Sequence, residues 1–371
     1  MKQSLSIKSG IFLAILSFLF SGCGEDTTPS ESPGFDRAAF LATQADRQIL
    51  PAFQALAEKA GALDAAIQAV PGIPDSSALV GWQRAWKQLL LSWQAASLYN
   101  FGPAGESGIR KSLQEELATF PVSEAKVAAI LSSGQFNLND FNRDARGIFT
   151  LEYLLFDTSS RVFPVLARMQ NPRVMAFARA LSQDIKNRAE AVFQAWQYGY
   201  RDTFVAGTQT DAGSSTALLY NEFVRSYEMA KNAKLGLPLG LRAGQIRSEP
   251  RLVEALYSGH SREALEAYLS AIFDVYLGNS DSGKGPAFGW KQYLENVEGG
   301  KELVASTETQ MDAVRQAMNQ IPVRPSLSAQ VSQPEAMVRL HTELQKLTRF
   351  YKSDMSSLMG IAITYSSGDG D

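Results

Sequence analysis

Glu152 is a carboxylate where the sequence calls for an apolar residue. Residues 139–156 (NDFNRDARGIFTLEYLLF) read as a single amphipathic helix. At about 100° per residue, Glu152 falls at the centre of a face formed by Phe141, Ala145, Ile148, Phe149, Leu155 and Phe156. Arg143, Arg146 and Thr150 fall on the opposite face, too far round the helix to neutralise it. A buried, unpaired carboxylate costs several kcal/mol. Three resolutions are open: a cation from another segment, a raised pKa, or a bound ligand.

The second reactive position is Cys23. Lys2 and Lys8 precede an apolar stretch from Ile11 to Phe20, and Ser21-Gly22 lead directly to the cysteine. Ten apolar residues are too few to span a bilayer, which takes roughly 20, and small residues before a cut mark a processing site. The arrangement resembles a bacterial lipobox, with Phe20 at the usual leucine position. It predicts a signal peptide over 1–22, lipidation of Cys23 and a flexible Pro- and Ser-rich tether over 23–34. Cys23 is the only cysteine, so disulfides, thiolate metal sites and cysteine nucleophiles are excluded from the mature chain. Loss of Lys2 and Lys8 with the leader takes the formal charge from −3 to −5, which argues against nucleic acid as a partner. Gly24 lacks the aspartate that retains lipoproteins in inner membranes, which favours the outer membrane.

The elements that must hold Glu152 read as helices throughout, with no stretch alternating long enough for a sheet. Trp82, Trp86, Leu89 and Trp93 share a face that ends at Asn100-Phe101-Gly102-Pro103, a core pattern closed by helix-stopping residues. Further helices are predicted near 108–119, 123–132, 172–198, 214–235, 262–277, 286–297, 299–320 and 334–359. The longest polar interruption, 199–215, places a boundary between helical bundles at 35–205 and 206–371, an all-α chain of two domains. Residues 278–285 (GNSDSGKG) imitate a phosphate-binding loop but follow a helix and end in Gly285 where a magnesium-holding Ser or Thr is required. His260 and His341 are the only histidines, each read as a surface or helix-capping residue, too few for a zinc peptidase site.

Gly147, Glu152 and the aromatic and leucines after it resemble the signature helix of the imelysin family, Gly-x-His-x-x-Glu, with Phe149 in the histidine's place. Trp86, Trp93 and Phe101-Gly102-Pro103 are similar to an earlier family helix. Lys234 to Leu239, Glu254, Ser258 and Val275 to Gly278 are similar to a second-domain stretch, and the ending from Gly360 is similar to the close of many imelysin-like lipoproteins. The resemblance implies two related helical bundles with a site where they meet, in a bacterial envelope protein linked to iron uptake. It also carries a disputed metallopeptidase activity, which the loss of the motif histidine argues against. It brings Glu254 and Ser258 toward Glu152, giving a tentative ligand set of Gly147, Phe149, Glu152, Glu254 and Ser258, with Glu152 the candidate ligand of iron or another hard cation. Three functions follow: a binding lipoprotein for a metal ion, iron chelate or small ligand; a structural or interaction lipoprotein that has lost the site; and a metallopeptidase. The expected partners are the membrane, through the lipid, and other envelope or iron-uptake proteins.

Overall fold

The computed structural model describes residues 35–106, 111–159, 161–279 and 288–365. Cys23, the leader and the tether lie outside them, as does most of the phosphate-loop imitation. Gly278 is described, and it ends the Ser261–Leu277 helix with φ +75°, its N–H donating to the Asp274 carbonyl at 2.8 Å. The described elements are α-, 3₁₀- and π-helices, as the sequence periodicity predicts. No described helix is long and apolar enough to cross a membrane.

The helix Ser76–Ala96 is the spine. Asp75 caps its first turn, accepting from the Ala78 N–H at 2.7 Å. Its tryptophans are all core, as their spacing predicts, but two also make polar contacts. The Trp82 indole N–H donates to the Ala66 carbonyl at 2.9 Å, and that of Trp86 donates to the Ile148 carbonyl at 2.9 Å. One side of the spine packs on Leu50–Gln68, which is backed by Pro172–Ala195, and another packs on Ser261–Leu277. An element of the first half is thereby in the core of the second.

The N-terminal helix Arg37–Gln44 does the same. Phe40 stacks within 4.9 Å of Trp290, and the Gln44 side-chain amide donates to the Phe288 carbonyl at 2.8 Å. Residues 32–371 form one compact unit whose buried side chains continue across 205/206, the position where the polar composition places a domain boundary. That position lies inside the short helix Arg201–Ala206, ahead of the polar loop that leads to Ser215–Glu228.

Four segments widen into π-helix: Ala45–Ile49, Trp196–Tyr200, Met229–Gly236 and Phe350–Asp354. A π-turn carries one residue more than an α-turn and recurs at functional positions.

Candidate functional site at Glu152

The expected continuous helix over 139–156 is broken in two. Asp140–Ala145 is 3₁₀, Arg146 is extended (φ −137°, ψ 176°), and the α-helix runs only from Gly147 to Leu155. Gly147 makes the break possible. Its φ of +79° is left-handed, and a Cβ there would stand 2.2 Å from the Leu117 carbonyl oxygen. Its place in the motif is thus explained by backbone geometry.

The break corrects the helical wheel. Phe141, expected beside Glu152, is 87 % exposed, whereas Arg146 and Thr150, expected on an outer face, are buried. Arg146 Nη1 donates to the Leu138 carbonyl at 2.6 Å, and Arg143 pairs with Glu115 at 3.2 Å. Within Gly147–Leu155 only Tyr153 reaches partial exposure, so the helix is enclosed on all sides. Both its ends are tied. Trp86 holds the Ile148 carbonyl, Gln83 donates to the Leu155 carbonyl at 2.8 Å, and Arg168 donates to the carbonyls of Tyr153, Leu154 and Phe156. A cation at that end also favours the helix dipole.

Glu152 is fully buried, and its Oε1 accepts from the Ser258 N–H at 2.8 Å. Oε2 has no hydrogen-bond partner. Burial pushes the carboxyl up to about 8, with a further rise from the nearby Glu254 charge; the Ser258 and Tyr257 donors offset only part of it. Of the three resolutions open in the sequence, the raised pKa is the one realised: at neutral pH Glu152 is predominantly a neutral carboxylic acid.

Ser258 lies in a loop, residues 250–260, that is fastened to the first half at several points. Tyr257 Oη donates to Glu124 at 3.0 Å, Arg251 pairs with the same carboxylate, and the Tyr257 ring meets Tyr153 edge-on at 5.0 Å. Inside the loop Ala255 is buried with φ +55°, a left-handed conformation costing about 1–2 kcal/mol for a residue with a Cβ. Its carbonyl accepts from the hydroxyls of Ser258 at 3.3 Å and Ser261 at 3.1 Å, contacts that hold it there.

The expected ligand set separates on this geometry. Glu152 and Ser258 meet. Glu254 is near enough to perturb Glu152, but its own carboxylate is committed: Lys234 pairs with Oε2, and the Gln94 amide donates to Oε1 at 3.1 Å. Lys234 also donates to Gln94 Oε1 at 3.1 Å and stands 4.4 Å from the Tyr268 ring centroid. Phe149 is buried edge-to-face on Phe120 at 5.3 Å. Gln94, Glu124 and Tyr257 escaped the sequence reading, because nothing local marks a residue whose partner is more than a hundred positions away. Lys234 was visible only as part of a matching stretch.

An imelysin family model matches residues 49–351. The chain belongs to the imelysin family. Iron-regulated protein A of Synechococcus elongatus is 22 % identical over 326 residues, covering 84 % of this chain and 82 % of that protein. Among solved structures, an iron-regulated protein A precursor from Parabacteroides distasonis superposes with a TM-score of 0.75 at 16 % identity, covering 90 % of this chain and 97 % of that one. An imelysin-like protein from Psychrobacter arcticum superposes with a TM-score of 0.69 at 18 % identity, covering 89 % and 97 %.

In this imelysin-family chain the residues around Glu152 do not fit a metal centre. Among the described residues no group of three or more His, Cys, Asp or Glu side chains is placed to hold a metal ion. Phe149 offers no donor, Glu254 is spent on Lys234, and a protonated Glu152 is a poor ligand. His260 Nδ1 is engaged 2.6 Å from Glu263, which also pairs with Lys87 at 2.7 Å. His341 lies in the wall of a separate cleft.

Proposed function

We propose that this chain is a non-catalytic, lipid-anchored protein of the bacterial cell envelope that serves iron acquisition as a binding or interaction protein, and that Glu152 is an internal clasp. The observation that carries the reading is the Glu152–Ser258 contact. A buried, predominantly neutral acid holds the 250–260 loop, in a motif whose histidine has become a ring packed on Phe120. Iron enters through the names borne by similar proteins, iron-regulated protein A in two bacteria. The envelope location rests on the Ser21-Gly22-Cys23 signal.

A second reading, a cation held at Glu152, is favoured by one feature: Oε2 has no hydrogen-bond partner. Calorimetric titration of the mature chain with ferric, zinc and calcium ions separates the two. The clasp reading expects no saturable heat that disappears in Glu152→Gln. Stoichiometric binding abolished by that substitution would replace the clasp by a metal site. The anchoring part is tested in bacteria by fractionation: Cys23→Ser is expected to move the protein from the membrane to the soluble envelope fraction, and a membrane-bound Cys23→Ser protein would refute the lipid anchor.

A further inference from the structure

A cleft of about 470 Å³ opens in the second half of the chain, within the size range of small-molecule sites. Its walls carry Lys231, Arg242, His341, Arg349 and Lys352, and a single carboxylate, Glu228. That carboxylate is already answered: Lys352 Nζ lies 3.1 Å from Oε1, and Tyr365 Oη donates to Oε2 at 2.8 Å. Arg349, 78 % exposed at the rim, lies 3.2 Å from Asp354. Even with Asp354 counted, cationic side chains outnumber carboxylates here on a protein whose net charge is negative.

Three of these groups converge on one gap. A Cβ placed on Gly236 would stand 3.1 Å from the Lys231 carbonyl oxygen, 3.5 Å from His341 Nε2 and 3.8 Å from Arg242 Cδ. Lys231 is only 5 % exposed, with its ammonium 3.5 Å from Thr348 Oγ1. Removing a cation from water at the edge of an open cleft strengthens its pull on any anion that enters. Burial and the Lys231 charge hold His341 below the ordinary histidine range, so its ring presents one donor and one acceptor. Two of the four π-helical segments build the walls: Lys231 belongs to Met229–Gly236, and Lys352 to Phe350–Asp354.

From this juxtaposition we infer that the cleft is a binding site for a small organic polyanion bearing two or more carboxylate or phosphate groups, held between Lys231, Arg242 and Arg349 with His341 as a neutral hydrogen-bonding wall. Guanidinium groups match both oxyanions in geometry. The site is separate from Glu152 and does not depend on the clasp.

Citrate and pyrophosphate serve as probes, titrated calorimetrically into the mature chain at low salt. The expected result is saturable one-site binding of at least one of them, weakened at least about tenfold in the double variant Arg242→Gln/Arg349→Gln, or about 1.4 kcal/mol, and unchanged in Glu152→Gln. Preference for citrate identifies a polycarboxylate site, and preference for pyrophosphate a phosphate site. The chain has only two histidines, so proton NMR gives a reading that needs no variant for binding. The His341 ring signal, assigned by its loss in His341→Gln, should shift on titration while that of His260 stays fixed. Absence of saturable heat and of any His341 shift with either probe up to about 10 mM, a range that reaches even weak millimolar binding, would overturn the proposal. Equal affinity in a folded double variant would overturn it as well.

Discussion

The Glu152 clasp and the basic cleft answer the problem of a buried charge in opposite ways. At Glu152 a carboxyl is enclosed without a cation, and the fold neutralises it by raising its pKa. At the cleft, ammonium and guanidinium groups that stay charged are gathered where a solute can reach them. The first arrangement stabilises a contact between distant segments; the second leaves charge available. Acidic and basic residues in one fold therefore need not mark the same kind of site, and a family motif can survive as architecture while binding chemistry stands elsewhere.

The sharpest way to break the comparison is at Gly147. Gly147→Ala would place a Cβ 2.2 Å from the Leu117 carbonyl oxygen at a left-handed φ. It is expected to cost about 4 kcal/mol or more, from strain and overlap together. Urea unfolding measures it, and a cost below about 1 kcal/mol would mean that the break before the site helix is not required.

Lys234→Met comes next. It strands Glu254 beside the Glu152 carboxyl, since Lys234 is the cation on Glu254 Oε2. The expected loss is about 3 kcal/mol, near the lower end for a broken buried pair because both side chains keep some solvent contact. Adding Glu254→Gln should recover most of it; no recovery would show that the charge pair is not the cause.

Glu152 has a pH signature. Its folded pKa of about 8 lies above the ordinary 4.5, so between these values the folded state holds a proton that the unfolded state has released. The stability contributed by this proton is fully present below about pH 4.5, is lost as pH rises toward 8, and is gone above it, with a slope of up to about 1.4 kcal/mol per pH unit. Glu152→Gln, which resembles the protonated acid in shape, should remove that slope while changing stability near pH 5 little. Parallel pH profiles in the two proteins would refute the neutral clasp.

The smallest effect belongs to the cleft. In the absence of anion, Arg349→Gln is expected to change stability by less than about 0.5 kcal/mol, because its side chain is 78 % exposed. A thermal melt that moved as far as for Lys234→Met would make the rim arginine a structural residue and draw the two regions together.

Much of this was legible in the sequence. Helical periodicity gave the elements, the tryptophan spacing gave the buried face of the spine, and Glu152 stood out as a charge in apolar company. The partner of Glu152 did not show, because it is a backbone N–H 106 residues away, which any residue but proline could supply. The wheel over 139–156 failed because a periodic pattern cannot reveal a reversal of φ at one glycine, and that reversal moved Phe141 outward and Arg146 inward. The basic cleft stayed hidden for another reason. Its cations come from two stretches more than a hundred residues apart, each of which reads as an ordinary solvated face.

The π-turn at Phe350–Asp354 has a consequence for how this chain tolerates insertion and deletion. A turn that already contains an extra residue can lose one and still close its hydrogen bonds as an α-helix, so the local damage would be slight. Everything beyond it, however, would rotate by about 100°, carrying the buried Met355 and Met359 off the core and turning Tyr351 or Lys352 away from its partners, according to which position was lost. A one-residue gap here would work as a rotary shift of the chain terminus, with little change in helix content and a large change in what the last turns touch.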